Sequence, residues 1–251
     1  MNRKAFLHLL ALGGASFLGG ARTLARIPGS DQTTPVSTGA LLPWGRLRYR
    51  ARNGDDTNWG VHPHGDLNLI DHLGIHTTIN LARKWNVADV SSLEEMTAYP
   101  FLFMHGEVPP ELTDAERKNL REYLLRGGFL FAEDCVIGMS RMGNNNRNDF
   151  FFRRMAETEL GKILPEAKLE HLPRDHPVFH TIFDFRNGLP HMQGTPHGLH
   201  GLMLHGRIVA LLSPSDLHCG WTNGDRWFGP GSTTQAMQMG ANIYAFAMTQ
   251  T

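Results

Sequence analysis

Only two cysteines, Cys135 and Cys219, occur in 251 residues. That excludes a disulfide-stapled scaffold and leaves room for one bridge at most. Net charge is missing as well, with 24 basic against 24 acidic residues. Without a basic surplus to neutralise phosphates, nucleic acid is not the expected partner. Long apolar runs are absent: the stretch Ala5 to Leu18 is only weakly apolar and is broken by Gly13 and Gly14, short of the roughly twenty residues a membrane span needs. No tight zinc-ligand spacing occurs, and Cys135 lacks the flanking glycines that a strained nucleophile elbow requires. No internal repeat is visible either.

What is there begins with an expected export signal. Arg3 and Lys4 precede the weakly apolar stretch, and Thr23-Leu24-Ala25 offers a small-residue cleavage site, so residues 1–25 are expected to be removed. Asn2-Arg3-Lys4-Ala5-Phe6-Leu7-His8 resembles the twin-arginine signal, with Lys4 in place of its second arginine. Cleavage removes three basic residues and no acid, taking the formal balance from +0 to −3. The expected mature protein is periplasmic or otherwise exported and does not span the membrane. Residues 26–43, with Pro28, Gly29, Pro35 and Pro43, read as a linker or loose arm, and 44–251 as one domain.

The most informative stretch runs from Tyr99 to Cys135. Phe101-Leu102-Phe103-Met104 is an apolar run ending at His105-Gly106-Glu107; Thr113 and Glu116 have capping-box spacing; Leu120, Tyr123 and Leu124 give a helical face; Gly127-Gly128 ends it; and Phe129-Leu130-Phe131-Ala132 runs into Glu133-Asp134-Cys135. This is one β-α-β unit. Elsewhere, Leu47 and Tyr49 alternate with Arg46, Arg48 and Arg50, predicting a first strand with one solvent face. Helices are expected from Asp66 or Asn68 to Gly74, from Asp149 to Leu160 with a stop at Gly161, and from Thr234 to Met248. The segment His76 to Val90 is ambiguous. Leu202–Leu204 and Ile208–Leu212 read as strands around a turn at His205-Gly206. Alternating strands and helices predict an α/β domain with a largely parallel sheet.

In such a sheet, ligands bind beyond the carboxyl ends of the strands, so two parallel tips should open into a shared crevice. His105, Glu133 and Asp134 sit at those tips, and Asp216 and His218 follow the late strand in Ser213-Pro214-Ser215-Asp216-Leu217-His218-Cys219. The sharp expectation makes Asp134, Glu133 and Asp216 the carboxylates of general acid–base work, with His105 and His218 as ligands of a divalent metal. The bland one makes the carboxylates turn or helix caps and the fourteen histidines surface or hydrogen-bonded groups. Alternation allows only one of Glu133 and Asp134 to face the crevice. Cys135 lacks an elbow and has a carboxylate beside it, which points to a buried or bridged thiol rather than a nucleophile. Trp59, Trp221 and Trp227 lie in polar stretches, where they either stack on a sugar ring or pack their loops.

Tyr99 to Gly106, Leu120 to Asp134, His176-Pro177-Val178-Phe179 and Gly240-Ala241-Asn242-Ile243 together resemble a bacterial family, domain of unknown function 4159, over about Trp44 to Thr249. The resemblance implies a class I glutamine-amidotransferase-like, flavodoxin-like fold, and it matches the family's acidic pair after Gly-Gly to Glu133 and Asp134. The amidotransferase Gly-x-Cys-x-Gly elbow is absent, so glutamine hydrolysis is not implied. The expectation is an exported domain that binds a small polar, carbohydrate-like ligand, as a metal- or carboxylate-assisted hydrolase; the alternative is a non-catalytic partner domain in a cell-envelope complex.

Overall fold

The computed structural model describes residues 41–136 and 149–250. The expected signal at 1–25, the linker up to residue 40 and the Asn144-Asn145-Asn146 loop lie outside the described residues. In chain order the elements are β1 (Leu42–Arg48), α1 (Pro63–His76), β2 (Leu81–Asp89), α2 (Leu93–Thr97), β3 (Phe101–Gly106), α3 (Asp114–Leu125) and β4 (Phe129–Asp134). Then come α4 (Phe150–Arg154), a π-helical turn (Met155–Glu159), α5 (Leu160–Ile163), β5 (Lys168–His171), β6 (His200–Leu204), β7 (Arg207–Ser213), α6 (Leu217–Phe228) and α7 (Ser232–Thr249).

Seven strands form one sheet in the order β2-β1-β3-β4-β7-β6-β5. The first five in that order pair in parallel, and β6 and β5 add an antiparallel edge. Numbered among themselves, the parallel strands run second, first, third, fourth, fifth, a doubly wound order whose switch point lies between β1 and β3. Helices cover both faces of the sheet, making a three-layer α/β sandwich with the largely parallel sheet that the alternation predicts.

Apolar residues on both sides of each central strand explain the layers. Trp44, Phe101, Phe103, Phe129, Phe131 and Leu211 face α1, α6 and α7. Leu47, Leu102, Met104, Leu130, Ala132 and Leu212 pack beneath α2 to α5. Each such side chain stabilises the fold by about 1.5–3 kcal/mol on burial. The α3 capping box forms as its spacing predicts: Thr113 Oγ1 accepts from Glu116 N–H at 3.2 Å, and Glu116 Oε2 accepts from Thr113 N–H at 2.6 Å. Gly127, at φ 95°, ends the helix.

Several expectations need correction. Arg46 does not lie on a solvent face: β1 has neighbours on both sides and a helix above, and the side chain is 0% exposed. The first helix starts at Pro63, because proline suits the first helical position, where an N–H has no partner to lose. The ambiguous segment contains the edge strand β2. Gly161 does not end its helix, which continues through Ile163. The polar stretch after β7 becomes α6 from Leu217, and its Trp221 is fully buried rather than in a loop. Cys135 and Cys219, whose pairing the sequence leaves open, are buried free thiols.

Candidate functional site

Alternation sends neighbouring side chains of a strand to opposite faces. His105 follows Phe103 and Glu133 follows Phe131 onto the face under α1 and α6, and the two are register partners. Asp134 points to the other face, where Oδ2 accepts the Phe152 N–H at 2.8 Å at the start of α4. The structure therefore brings His105, Glu133, Asp216 and His218 together and leaves Asp134 out. Burial pushes the Asp134 pKa well up, against the opposing hydrogen bond from Phe152.

Glu133 organises the amino end of α6. Its Oε1 accepts from Ser213 Oγ at 2.9 Å and Leu217 N–H at 2.8 Å, and its Oε2 from His218 N–H at 2.9 Å. A carboxyl at that position meets otherwise orphan N–H groups and the positive end of the helix dipole. Burial, with Asp216 nearby, nevertheless pushes its pKa up to about 8. Asp216 precedes α6 in a left-handed conformation, φ 57°. Its Oδ2 accepts from Gln193 Nε2, and its buried Oδ1 has no partner. Burial raises the Asp216 pKa to about 6 against that amide donor.

A second buried layer was not expected. Arg46 pairs with Asp66 at 2.7 Å, both fully buried, and donates to the carbonyls of Trp59 at 3.1 Å and Val61 at 2.8 Å. Trp44 Nε1 donates to Asp66 Oδ1 at 2.7 Å. Burial pulls the Arg46 pKa down and pushes that of Asp66 up, but these donors and acceptors hold the pair charged, since a guanidinium keeps its proton in proteins. Arg46 Nη2 also lies 2.8 Å from His218 Nε2. A guanidinium only donates, so Nε2 accepts and the imidazole proton sits on Nδ1. The 3.3 Å approach of Nε2 to Asp66 Oδ2 is then a contact between two acceptors, not an ion pair.

His105 is the least satisfied group. It is fully buried, its ring lies 4.2 Å from that of His218, and neither ring nitrogen has a hydrogen-bond partner. Burial, then His218 and Arg46, push its pKa well down, so the ring is neutral. His218 is held neutral by burial and Arg46.

Cys135 directly follows β4 and extends its pairing, donating its N–H to Gly106 O at 3.0 Å. Cys219, in the first turn of α6, brings its Sγ to 3.7 Å from Cys135 Sγ. The mutual hydrogen bond and then burial push the Cys135 pKa well up, consistent with a thiol rather than a nucleophilic thiolate. Two sets of donor atoms lie mutually within 4.8 Å: His62 with Cys135 and Cys219, and His105 with Cys135 and Asp216. His218, expected as a metal ligand beside His105, is in neither set, and its Nε2 is taken by the Arg46 donor. Gly65 lets α6 approach α1: a Cβ there would stand 2.7 Å from His218 Nε2.

The strand tips are parallel as expected, but they do not open into a wide crevice. His105, Glu133, Asp216 and His218 are all 0% exposed. The exposed member is His62, at φ 50° ahead of α1, with the half-exposed Trp227 ring 5.7 Å away. Arg46, Asp66 and Cys219 are not among the residues that the sequence marks for the site. No local signal marks Arg46 or Cys219, whose partners are distant in the chain; a charge amid apolar strand residues is the only hint for Arg46.

A family model for a domain of unknown function, DUF4159, matches residues 44–248. The chain belongs to this family. Every residue of the site, from Trp44 to Cys219, lies inside the DUF4159 domain. No curated protein matches the chain. No described helix of this DUF4159 protein is long and apolar enough to cross a membrane.

Proposed function

We propose that this DUF4159 domain binds a small polar ligand at the switch point between β1 and β3 and hydrolyses it, with Asp216 as general base. One observation carries the reading: the buried Asp216 Oδ1 and both His105 ring nitrogens have no partner. Leaving such a group unsatisfied costs about 1–3 kcal/mol, a cost that folding does not recover. The Asp216 pKa of about 6 suits a base working near neutrality. Its Oδ1 takes a proton as a water oxygen attacks the substrate, and His105 supplies an N–H toward the leaving group. Glu133 is a positioning residue, because both its oxygens are engaged by Ser213 and α6. Trp227 and His62 at the rim offer ring faces to a carbohydrate-like substrate.

Export belongs to the same proposal and is supported by the reading of residues 1–25. The amidotransferase-like ancestry is supported by the doubly wound strand order and takes no elbow cysteine with it. Full burial of His105, Asp216 and His218 favours a second reading, a non-catalytic partner domain in a cell-envelope complex, in which the cluster only fixes α1 and α6 against the sheet.

A panel of p-nitrophenyl glycosides, esters and phosphates separates the two. The hydrolase reading expects turnover of at least one class, with Asp216→Asn lowering kcat by about 10²-fold or more. Turnover indifferent to Asp216→Asn, or none across the panel, sinks it.

A further inference from the structure

We propose that His62, Cys135 and Cys219 form a binding site for a thiophilic divalent cation of zinc's class, with a fourth position facing Asp216 and His105. The proposal deepens the hydrolase reading, since it rests on the same cluster and names a metal for it.

The separation of the two sulfurs is the first reason. Tetrahedral zinc with Zn–S bonds of about 2.3 Å sets its sulfurs about 3.8 Å apart, and Cys135 Sγ and Cys219 Sγ stand 3.7 Å apart. A disulfide would hold them at about 2.05 Å. The His62 donor atom lies within 4.8 Å of both sulfurs. Because His62 is exposed, its ring is free to turn the last fraction of that distance.

The second reason concerns what lies beside the Cys135 sulfur. Cys135 is shared with the set formed by His105 and Asp216, and both of these carry buried atoms without a hydrogen-bond partner. Each therefore has a lone pair beside the Cys135 sulfur. Two thiolates and an imidazole select zinc's class over magnesium or calcium, which take oxygen ligands.

The third reason is how the ligands are held. Cys135 is pinned by its N–H to Gly106 O, and Cys219 by the first turn of α6, whose amino end Glu133 caps. His62 and Asp216 are two of the three non-glycine residues with positive φ among the described residues, the other being the hairpin residue His205. Strain of that kind, about 1–3 kcal/mol per residue, gathers at ligand sites. Three separate elements converge on one point, so binding would tie α1 and α6 to the end of β4. Cation binding replaces two S–H protons, which leave to solvent, with two metal–sulfur bonds.

Cobalt(II) gives the test. The full chain is stripped with chelator under reducing conditions and titrated with Co²⁺, then with Zn²⁺. The site predicts one Co²⁺ per chain, a thiolate-to-cobalt charge-transfer band, intense tetrahedral visible bands and their bleaching by one equivalent of Zn²⁺. Cys135→Ser and Cys219→Ser each weaken the charge-transfer band, and His62→Ala weakens Co²⁺ binding about tenfold or more. Should a cysteine variant fail to fold, Zn²⁺ protection of two thiols from a disulfide reagent in the unaltered chain reads the same site. Weak octahedral cobalt spectra without charge transfer, thiols that Zn²⁺ leaves unprotected, or a stable Cys135–Cys219 disulfide in the purified protein overturn it. Zinc bound without hydrolysis supports the site and removes the hydrolase reading; hydrolysis by a chain that binds no metal removes the site and keeps the carboxylate chemistry.

Discussion

Arg46 and Asp66 form an ion pair of 2.7 Å with no exposure of either side chain, and they do so across the β1–α1 connection that ends at the site. Removing one partner of a buried pair strands the other charge and costs about 3–5 kcal/mol, whereas removing both costs less than the sum. Arg46→Met and Asp66→Asn should each lower stability by about that amount in urea unfolding, and the double variant should recover part of it. Arg46→Met should be the worse single change, since it also frees the carbonyls of Trp59 and Val61 and leaves His218 Nε2 without its donor. Strictly additive losses would show that the pair is not coupled.

The pair also shows where the sequence stops being readable. The β3 and β4 tips were legible because strands covered on both faces are apolar at every position, and the α3 cap was legible because its two partners are three residues apart. Arg46 was not, because alternation assigns a charged residue to the solvent face and the partner that overrides this, Asp66, sits 20 residues away on a helix. The Cys135–Cys219 approach spans 84 residues and follows only from the order of strands. Helix α6 was hidden by Ser-Pro-Ser-Asp, which reads as a turn, and by Gly220, which is poor in helices but here admits the Ala236 methyl of α7. Choosing between Glu133 and Asp134 needed the strand's end: alternation said one would face the site, and only the observed register says it is Glu133.

Glu133 sets an expectation about pH. Its pKa rises from an ordinary 4.5 to about 8 on folding, so between those values the folded chain holds a proton that the unfolded chain has lost. The stability from this proton is complete below about pH 4.5 and is lost as pH climbs toward 8, with a slope of up to about 1.4 kcal/mol per pH unit. Asp216 acts in the same direction over a lower window, from 3.8 to about 6. Glu133→Gln should therefore flatten the fall in stability between pH 6 and 8, where Asp216 no longer contributes much. Its absolute stability should drop, since the amide must turn an N–H toward the N–H of His218 or Leu217. Equal slopes for the two proteins, measured by urea unfolding across that range, would show that Glu133 does not titrate in the folded chain.

Asp134 distinguishes a cap from a site residue. Its Oδ2 accepts the Phe152 N–H at 2.8 Å, its Oδ1 is buried without a partner, and burial raises its pKa, which favours the neutral acid. Asparagine reproduces that neutral shape and can still offer an oxygen to Phe152. Asp134→Asn should accordingly change stability by less than about 1 kcal/mol, while Asp134→Ala should cost about 1–3 kcal/mol by leaving the Phe152 N–H unsatisfied at the start of α4. Amide hydrogen exchange locates the effect: the alanine variant should lose protection at Phe152 and in the turn after it, with β4 itself unchanged. If the asparagine variant is damaged as badly as the alanine one, the carboxylate is needed in its charged form, and the face of β4 opposite Glu133 has an electrostatic role that a simple helix cap does not explain.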